Sequence, residues 1–205
     1  MAQQSQQTAT VFIVDDDPAI RFAMQALMDS VNLRHEIFGS GDEFLDQVAE
    51  ERPGCLVLDI RMPGLGGLEL QDELLKRGNA LPIIFITGHG DVPMAVDAMQ
   101  KGAVDFIQKP FRDQDLLDRV REALKTDMER REEQQQHAEV AERIGRLTNR
   151  EREVFDLVVT GKPNKVIAYE LGVSQRTVEI HRARVMEKMQ AKSLADLVKM
   201  HMHQD

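Results

Sequence analysis

The sequence predicts a doubly wound α/β domain with a five-stranded parallel sheet, then a long helical linker, then an all-α domain of four helices. Three observations lead there. Short apolar runs alternate with helix-period segments up to about Asp113. A charged stretch then runs without Gly or Pro as far as Gly145. After Leu147, helix-period segments are punctuated by Gly161 and Gly172.

The apolar runs are residues 11–14, 35–38, 55–58, 83–86 and 103–107, each short enough for a strand buried on both faces. Between them lie helical patterns at 19–31, 42–50, 68–77 and 92–100, with a fifth opening near Asp113. Right-handed crossovers place the carboxyl ends of all five strands on one edge. Residues 1–10, MAQQSQQTAT, lack the basic and apolar regions of a signal peptide and read as a flexible tail. The α/β domain is expected over 11–125, the linker over 126–145 and the all-α domain over 146–205.

In the linker, Asp127–Arg131, Glu139–Arg143 and Glu142–Arg146 are favourable i,i+4 pairs, worth about 0.2–0.5 kcal/mol each. The apolar seam Leu117, Val120, Leu124 decays into Asp127, Arg131 and Gln134, which argues against a strong coiled coil. A polar flexible linker is the alternative. No apolar run approaches the roughly 18 residues of a membrane span. The single Cys55 has no internal disulfide partner, and the composition fits a cytoplasmic protein. Net charge is -9, but unevenly spread: 15 Lys and Arg against 27 Asp and Glu up to Gly145, then 11 against 8. A basic tail domain hints at nucleic acid.

Thr148 to Glu151 matches a capping box, opening a helix that runs to Thr160. A second helix, 164–171, stops at Gly172. Ser174 caps a third that runs to about Met189, and Ser193 a fourth to His201. Short helices joined by a glycine-containing turn are a helix-turn-helix signature. On the third helix Val178, Val185 and Met189 share one face, while Arg176, Glu179, Ile180 and Ala183 point away. A single exposed Ile180 needs no explanation, but beside Arg176, Arg182 and Arg184 it could instead touch a thymine methyl in a major groove. Ser174 and Thr177 sit where a helix start contacts phosphate.

Asp59 closes the apolar run Cys55–Leu58 just before Met62-Pro63-Gly64, where a turn-forming role and a ligand-binding role are both open. Its neighbours in space favour the site. The first strand ends in Asp15 and Asp16, with Asp17 left to cap the helix begun by Pro18. The fourth strand ends in Thr87 and the fifth in Lys109. Three carboxylates on one edge repel unless a cation sits among them, and hard oxygen ligands suit Mg²⁺. A carboxylate beside such an ion can attack phosphorus and become an aspartyl-phosphate.

At these residues the chain resembles a known family. VDDD, LDIRMPG, TGHGD and DFIQKPF, within residues 11 to about 125, resemble the flavodoxin-like receiver domain of two-component response regulators. Residues 147–200 resemble the LuxR-type helix-turn-helix domain, and the whole chain a FixJ-type member of the NarL/FixJ subfamily. The resemblance implies that Asp59 accepts phosphate from a sensor histidine kinase. It implies one Mg²⁺ held by Asp15, Asp16, Asp59 and the Arg61 backbone carbonyl. Thr87 and Lys109 would bind the phosphoryl group. Phe106 would be the rotameric switch, although plain core packing also accounts for it. The phosphorylated receiver would dimerise through a face including Val92, Val96, Met99 and Gln100. Lys165, Arg176, His181 and Lys188 would contact the backbone of promoter DNA, and RNA polymerase would be a further partner.

Glu179 departs from the lysine common in the wider LuxR-type group, which suggests different base preferences. Two other functions are compatible with the pocket alone. One is a Mg²⁺-dependent phosphatase, although such enzymes carry a second acid where this chain has Arg61. The other is an acidic binding module whose helical tail merely docks.

Overall fold

The computed structural model describes residues 9–48, 52–88 and 92–202, apart from the side chains of Val92 and Ala95. Compact packing divides the chain into two units, Met1–Arg130 and Arg131–Asp205.

In the first unit β1 (Thr10–Val14), β2 (His35–Phe38), β3 (Gly54–Asp59), β4 (Ile83–Thr87) and β5 (Asp105–Gln108) form a parallel sheet. The strand order is 2-1-3-4-5. Between and after them come α1 (Pro18–Ser30), α2 (Gly41–Gln47), α3 (Gly67–Lys76), α4 (Val92–Gln100) and α5 (Asp113–Gly145).

The two-residue period of a strand explains the layers. Phe12, Val14, Leu56, Leu58, Ile83 and Phe85 face one core, with Phe44, Leu70, Leu74 and Ala98 of the helices on that side. Val11, Ile13, Cys55, Val57, Ile84 and Ile86 face the other, with Met24, Met28, Leu116, Leu117 and Val120. The central strands β1, β3 and β4 are apolar over residues 11–14, 55–58 and 83–86 because both faces are covered there.

Boundaries moved where caps compete with apolar patterning. β1 takes in Thr10, buried and paired with Gly54, so the tail ends one residue earlier than expected. Ser40 caps α2 through Glu43 N, starting it at Gly41, and the helix ends at Gln47. Its expected continuation into 49–50 lies outside the described residues. β5 begins at Asp105, because the Ala103 amide still bonds to Ala98 O as the chain leaves α4 through Gly102.

The linker is helical: α5 is one helix of 33 residues. The packed part of it reaches further than the sequence suggested. Asp127, expected in the linker, is buried in the first unit. Its carboxylate accepts from the Gly54 amide at 2.9 Å and from Arg130 at 2.7 Å.

The second unit contains α6 (Asn149–Val159), α7 (Asn164–Leu171), α8 (Gln175–Met189) and α9 (Leu194–Met202) around Phe155, Val158, Ile167, Val178, Val185, Met189 and Leu197. Ile144 at the end of α5 packs against the same core. The Thr148–Glu151 capping box, the Ser174 cap and the left-handed Gly172 are all present. Among the described residues, no helix is long and apolar enough to cross a membrane.

Candidate functional site

The strand order reverses between β1 and β3, and in open α/β sheets ligands bind outside the carboxyl ends of strands at such a reversal. Asp15 follows β1 and Asp59 ends β3. Asp15 is buried, Asp59 nearly so, and Asp16 exposed. Each of the three places one carboxylate oxygen within 4.8 Å of the others. Lys109 reaches across from the end of β5, its Nζ 3.0 Å from Asp15 Oδ2 and 3.2 Å from Asp59 Oδ2.

Backbone geometry fixes the two buried acids. The Asp17 amide donates to Asp15 Oδ1 at 2.9 Å, while Asp17 itself caps α1 through the Ala19 amide. The Arg61 amide donates to the Asp59 carboxylate. Behind Asp59, Gly67 packs so closely that a Cβ there would stand 2.3 Å from the Asp59 carbonyl oxygen. Only glycine allows α3 to begin against the strand end in this way.

Burial raises the Asp59 carboxyl above the ordinary range and Asp15 adds to that, against the pull of Lys109 and the Arg61 amide. Burial by itself lowers Lys109, but its hydrogen bonds and attraction to Asp15 and Asp59 outweigh this and raise it. The donor set fits a hard divalent cation: three carboxylate oxygens within reach of one ion, two of them on buried or nearly buried side chains and one open to solvent.

Thr87 is buried at the end of β4, and its carbonyl accepts from the Lys109 amide at 2.8 Å. His89, Gly90 and Asp91 of the TGHGD motif lie outside the described residues. Phe106 is partly buried against the core on the α3–α4 side of the sheet. On α4, Val96, Met99 and Gln100 are exposed; the side chain of Val92 lies outside the described residues.

The second unit presents α8. Val178, Val185 and Met189 are fully buried, leaving Arg176, Glu179, Ile180, Ala183 and Arg184 exposed. Ser174 accepts from the Thr177 amide, and the two hydroxyls lie 2.8 Å apart. Lys165 of α7 is also exposed.

Three of the residues expected at DNA are engaged or partly covered within this unit. Lys188 turns inward: its Nζ donates to Glu151 Oε2 at 2.6 Å and to the Arg146 carbonyl at 3.1 Å. The buried Glu151 needs a cation, and Lys188 supplies it. His181 is partly buried, and its Nδ1 is covered without a hydrogen-bond partner among the described residues. Arg182, expected beside the groove, donates to Asn164 Oδ1 at 3.0 Å and braces α8 against α7.

Sequence reading missed two further residues. Asp127 looked like another linker charge. Glu151 was visible as a cap but not as half of a buried ion pair, because Lys188 lies 37 positions away. The only signal for either was an acid three or four residues from apolar core positions.

Comparison with known proteins agrees with this geometry. Residues 11–121 match the family described as response regulator receiver domain, and residues 145–201 that of bacterial regulatory proteins of the luxR family. Nodulation protein W of Bradyrhizobium diazoefficiens is 50% identical over 94% of this chain and 85% of its own. The transcriptional regulatory protein FixJ of Azorhizobium caulinodans is 46% identical over 93% of this chain and 90% of its own. Among solved structures, the response regulator StyR superposes with a TM-score of 0.85 at 42% identity, covering 95% of this chain and 98% of that one. An acidic pocket at a sheet reversal and a helix-turn-helix unit, each matched by its own family, place this chain among the NarL/FixJ-type response regulators, which join a receiver to a LuxR-type DNA-binding domain.

Proposed function

We propose that Asp59 accepts a phosphoryl group from the histidine of a cognate sensor kinase in the cytoplasm. The observation that carries this is Lys109 bridging Asp15 and Asp59 across the sheet reversal. In the transfer an Asp59 carboxylate oxygen bonds to phosphorus. The phosphorus–nitrogen bond to the kinase histidine breaks, and its electron pair stays on the imidazole, which takes up a proton. Asp15, Asp16, Asp59 and the Arg61 carbonyl would hold Mg²⁺, which would supply neutralisation of the phosphoryl oxygens. Lys109 contributes a fixed ammonium at the same place. Slow hydrolysis of the acyl phosphate resets the protein.

The phosphoryl group adds charge beside Thr87, whose hydroxyl moves onto it and leaves space for Phe106 to turn inward. That is an electrostatic change acting on a two-state element. The exposed Val96, Met99 and Gln100, with Val92, then form the face through which two receivers pair. Pairing brings two α8 helices to DNA half-sites about one helical turn apart. Contact with RNA polymerase then activates transcription.

The test is sedimentation of wild type and Asp59→Asn, each with Mg²⁺ and acetyl phosphate, alongside intact mass. Uptake of one phosphoryl group and a monomer-to-dimer shift in wild type alone is the expected result. A phosphorylated wild type that stays monomeric would remove the dimerisation step. Absence of uptake would remove Asp59 as the acceptor.

A further inference from the structure

Glu179 is an acid on the exposed face of α8, and the structure narrows what that acid can be for. Gln175, Arg176, Glu179, Ile180 and Ala183 line one open concavity on α8. The Gln175 amide nitrogen lies 3.4 Å from Glu179 Oε1, steering one oxygen and leaving Oε2 open. Among the described residues, neither Arg176 nor Glu179 is in an ion pair. Arg182 and Lys188 are committed inside the unit, to Asn164 and Glu151. Arg176, which lines the same concavity as Glu179, is therefore available to act on this face next to the acid.

A carboxylate in the major groove sits in the negative field of the phosphates and must find a donor there. The groove offers two, the N4 amino group of cytosine and the N6 amino group of adenine. Adenine sets its N7 acceptor beside that donor, and a carboxylate, which has no proton to give, is repelled by it. Cytosine presents its amino group with no acceptor of its own alongside. The guanine paired with it carries O6 and N7, which a guanidinium matches with two parallel hydrogen bonds. Residues three apart on a helix stand roughly 5–6 Å from each other, so Arg176 and Glu179 reach the same or neighbouring base pairs.

We propose that Arg176 and Glu179 act as a pair that reads a guanine and a cytosine within one base step of each other in each half-site. Ile180 and Ala183 favour a thymine methyl beside them. This rests on the DNA-binding reading above and adds to it the base class recognised.

The experiment is affinity selection from randomised double-stranded DNA. It uses the full chain treated with Mg²⁺ and acetyl phosphate, as wild type, Glu179→Gln and Arg176→Ala. Position 179 is exposed, so the glutamine variant is expected to fold as wild type does. Wild type should select cytosine at one position of each half-site. Glutamine, which both donates and accepts, should shift that position alone toward adenine by about tenfold or more. Arg176→Ala should relax only the neighbouring guanine. Identical base preferences in wild type and Glu179→Gln, or a loss spread evenly over all positions, would overturn the proposal. Wild type that selects no sequence at all would instead bring down the DNA-binding reading itself.

Discussion

The Gly54 amide donates to Asp127 Oδ2 at 2.9 Å, tying the first residue of β3 to a helix 73 positions further along the chain. β3 is thus held at both ends, by Asp127 below and by the Asp59 pocket above. A Cβ at Gly54 would lie 1.9 Å from the Thr10 carbonyl oxygen, so the close approach of β1 and β3 depends on glycine here. Asp127→Ala would strand the Gly54 amide and deprive Arg130 of its carboxylate. We expect it to lower the stability of the first unit by about 2–3 kcal/mol, and Asp127→Asn by less, since an amide oxygen still accepts. Urea unfolding of the full chain checks this, and an unchanged first-unit transition would refute it.

In the second unit, pH reports on the clamp between Glu151 and Lys188. The hydrogen bond from Lys188, with the Thr148 amide behind it, holds the Glu151 carboxyl at about 2, against an ordinary 4.5. A depressed acid stabilises the fold above its unfolded value, and that stabilisation is lost as pH falls toward the folded value. Helical signal from the second unit should therefore melt at progressively lower temperature between about pH 5 and pH 2. In Glu151→Gln the same decline should be shallower, from a less stable starting point. Parallel profiles for the two proteins would show that the clamp contributes nothing.

Salt dependence separates exposed cations from committed ones. Each phosphate contact contributes roughly -0.9 to the slope of log affinity against log salt concentration. Replacing Lys165 or Arg184 with alanine should flatten the slope by about one such unit. Lys188→Gln should leave it unchanged while lowering thermal stability, because the ammonium of the partly buried Lys188 bonds to Glu151 and to the Arg146 carbonyl. Titrations at several salt concentrations decide the matter, and a flattened slope in Lys188→Gln would reverse the assignment.

Metal dependence tests the acidic pocket. Chelation of divalent ions should abolish phosphoryl uptake from acetyl phosphate, and added Mg²⁺ should restore it. Asp15→Asn removes a buried carboxylate that also holds Lys109. The Mg²⁺ concentration for half-maximal uptake should then rise about tenfold or more, as expected on loss of a ligand or its supporting contact. An unchanged requirement would place the ion elsewhere.

Both domains were legible in the sequence because their signals are local. Strands covered on two faces must be apolar throughout, so 55–58 and 83–86 stood out before any tertiary information was available. Thr148 with Glu151, and Ser174 with Thr177, declared helix starts within four residues. The acids and Lys109 of the pocket were found because parallel topology brings strand ends to one edge. What escaped was set by long-range pairing. Lys188 and Arg182 look like solvated groove cations until Glu151 and Asn164 are placed beside them in space. Asp127 looks like any linker acid until the Gly54 amide meets it.

Cys55, the only cysteine in the chain, lies beside Gly54 in β3 and is wholly buried. Burial, with the Asp127 charge close by, pushes its thiol up to about 12. Thiolate is the reactive form, so in the native fold this sulfur is sealed from oxidants and alkylating reagents alike. It becomes reactive only when the strand bearing Asp59 comes out of the sheet. The chain thereby carries its own clock for that event: the rate at which a thiol reagent modifies the protein measures how often β3 opens.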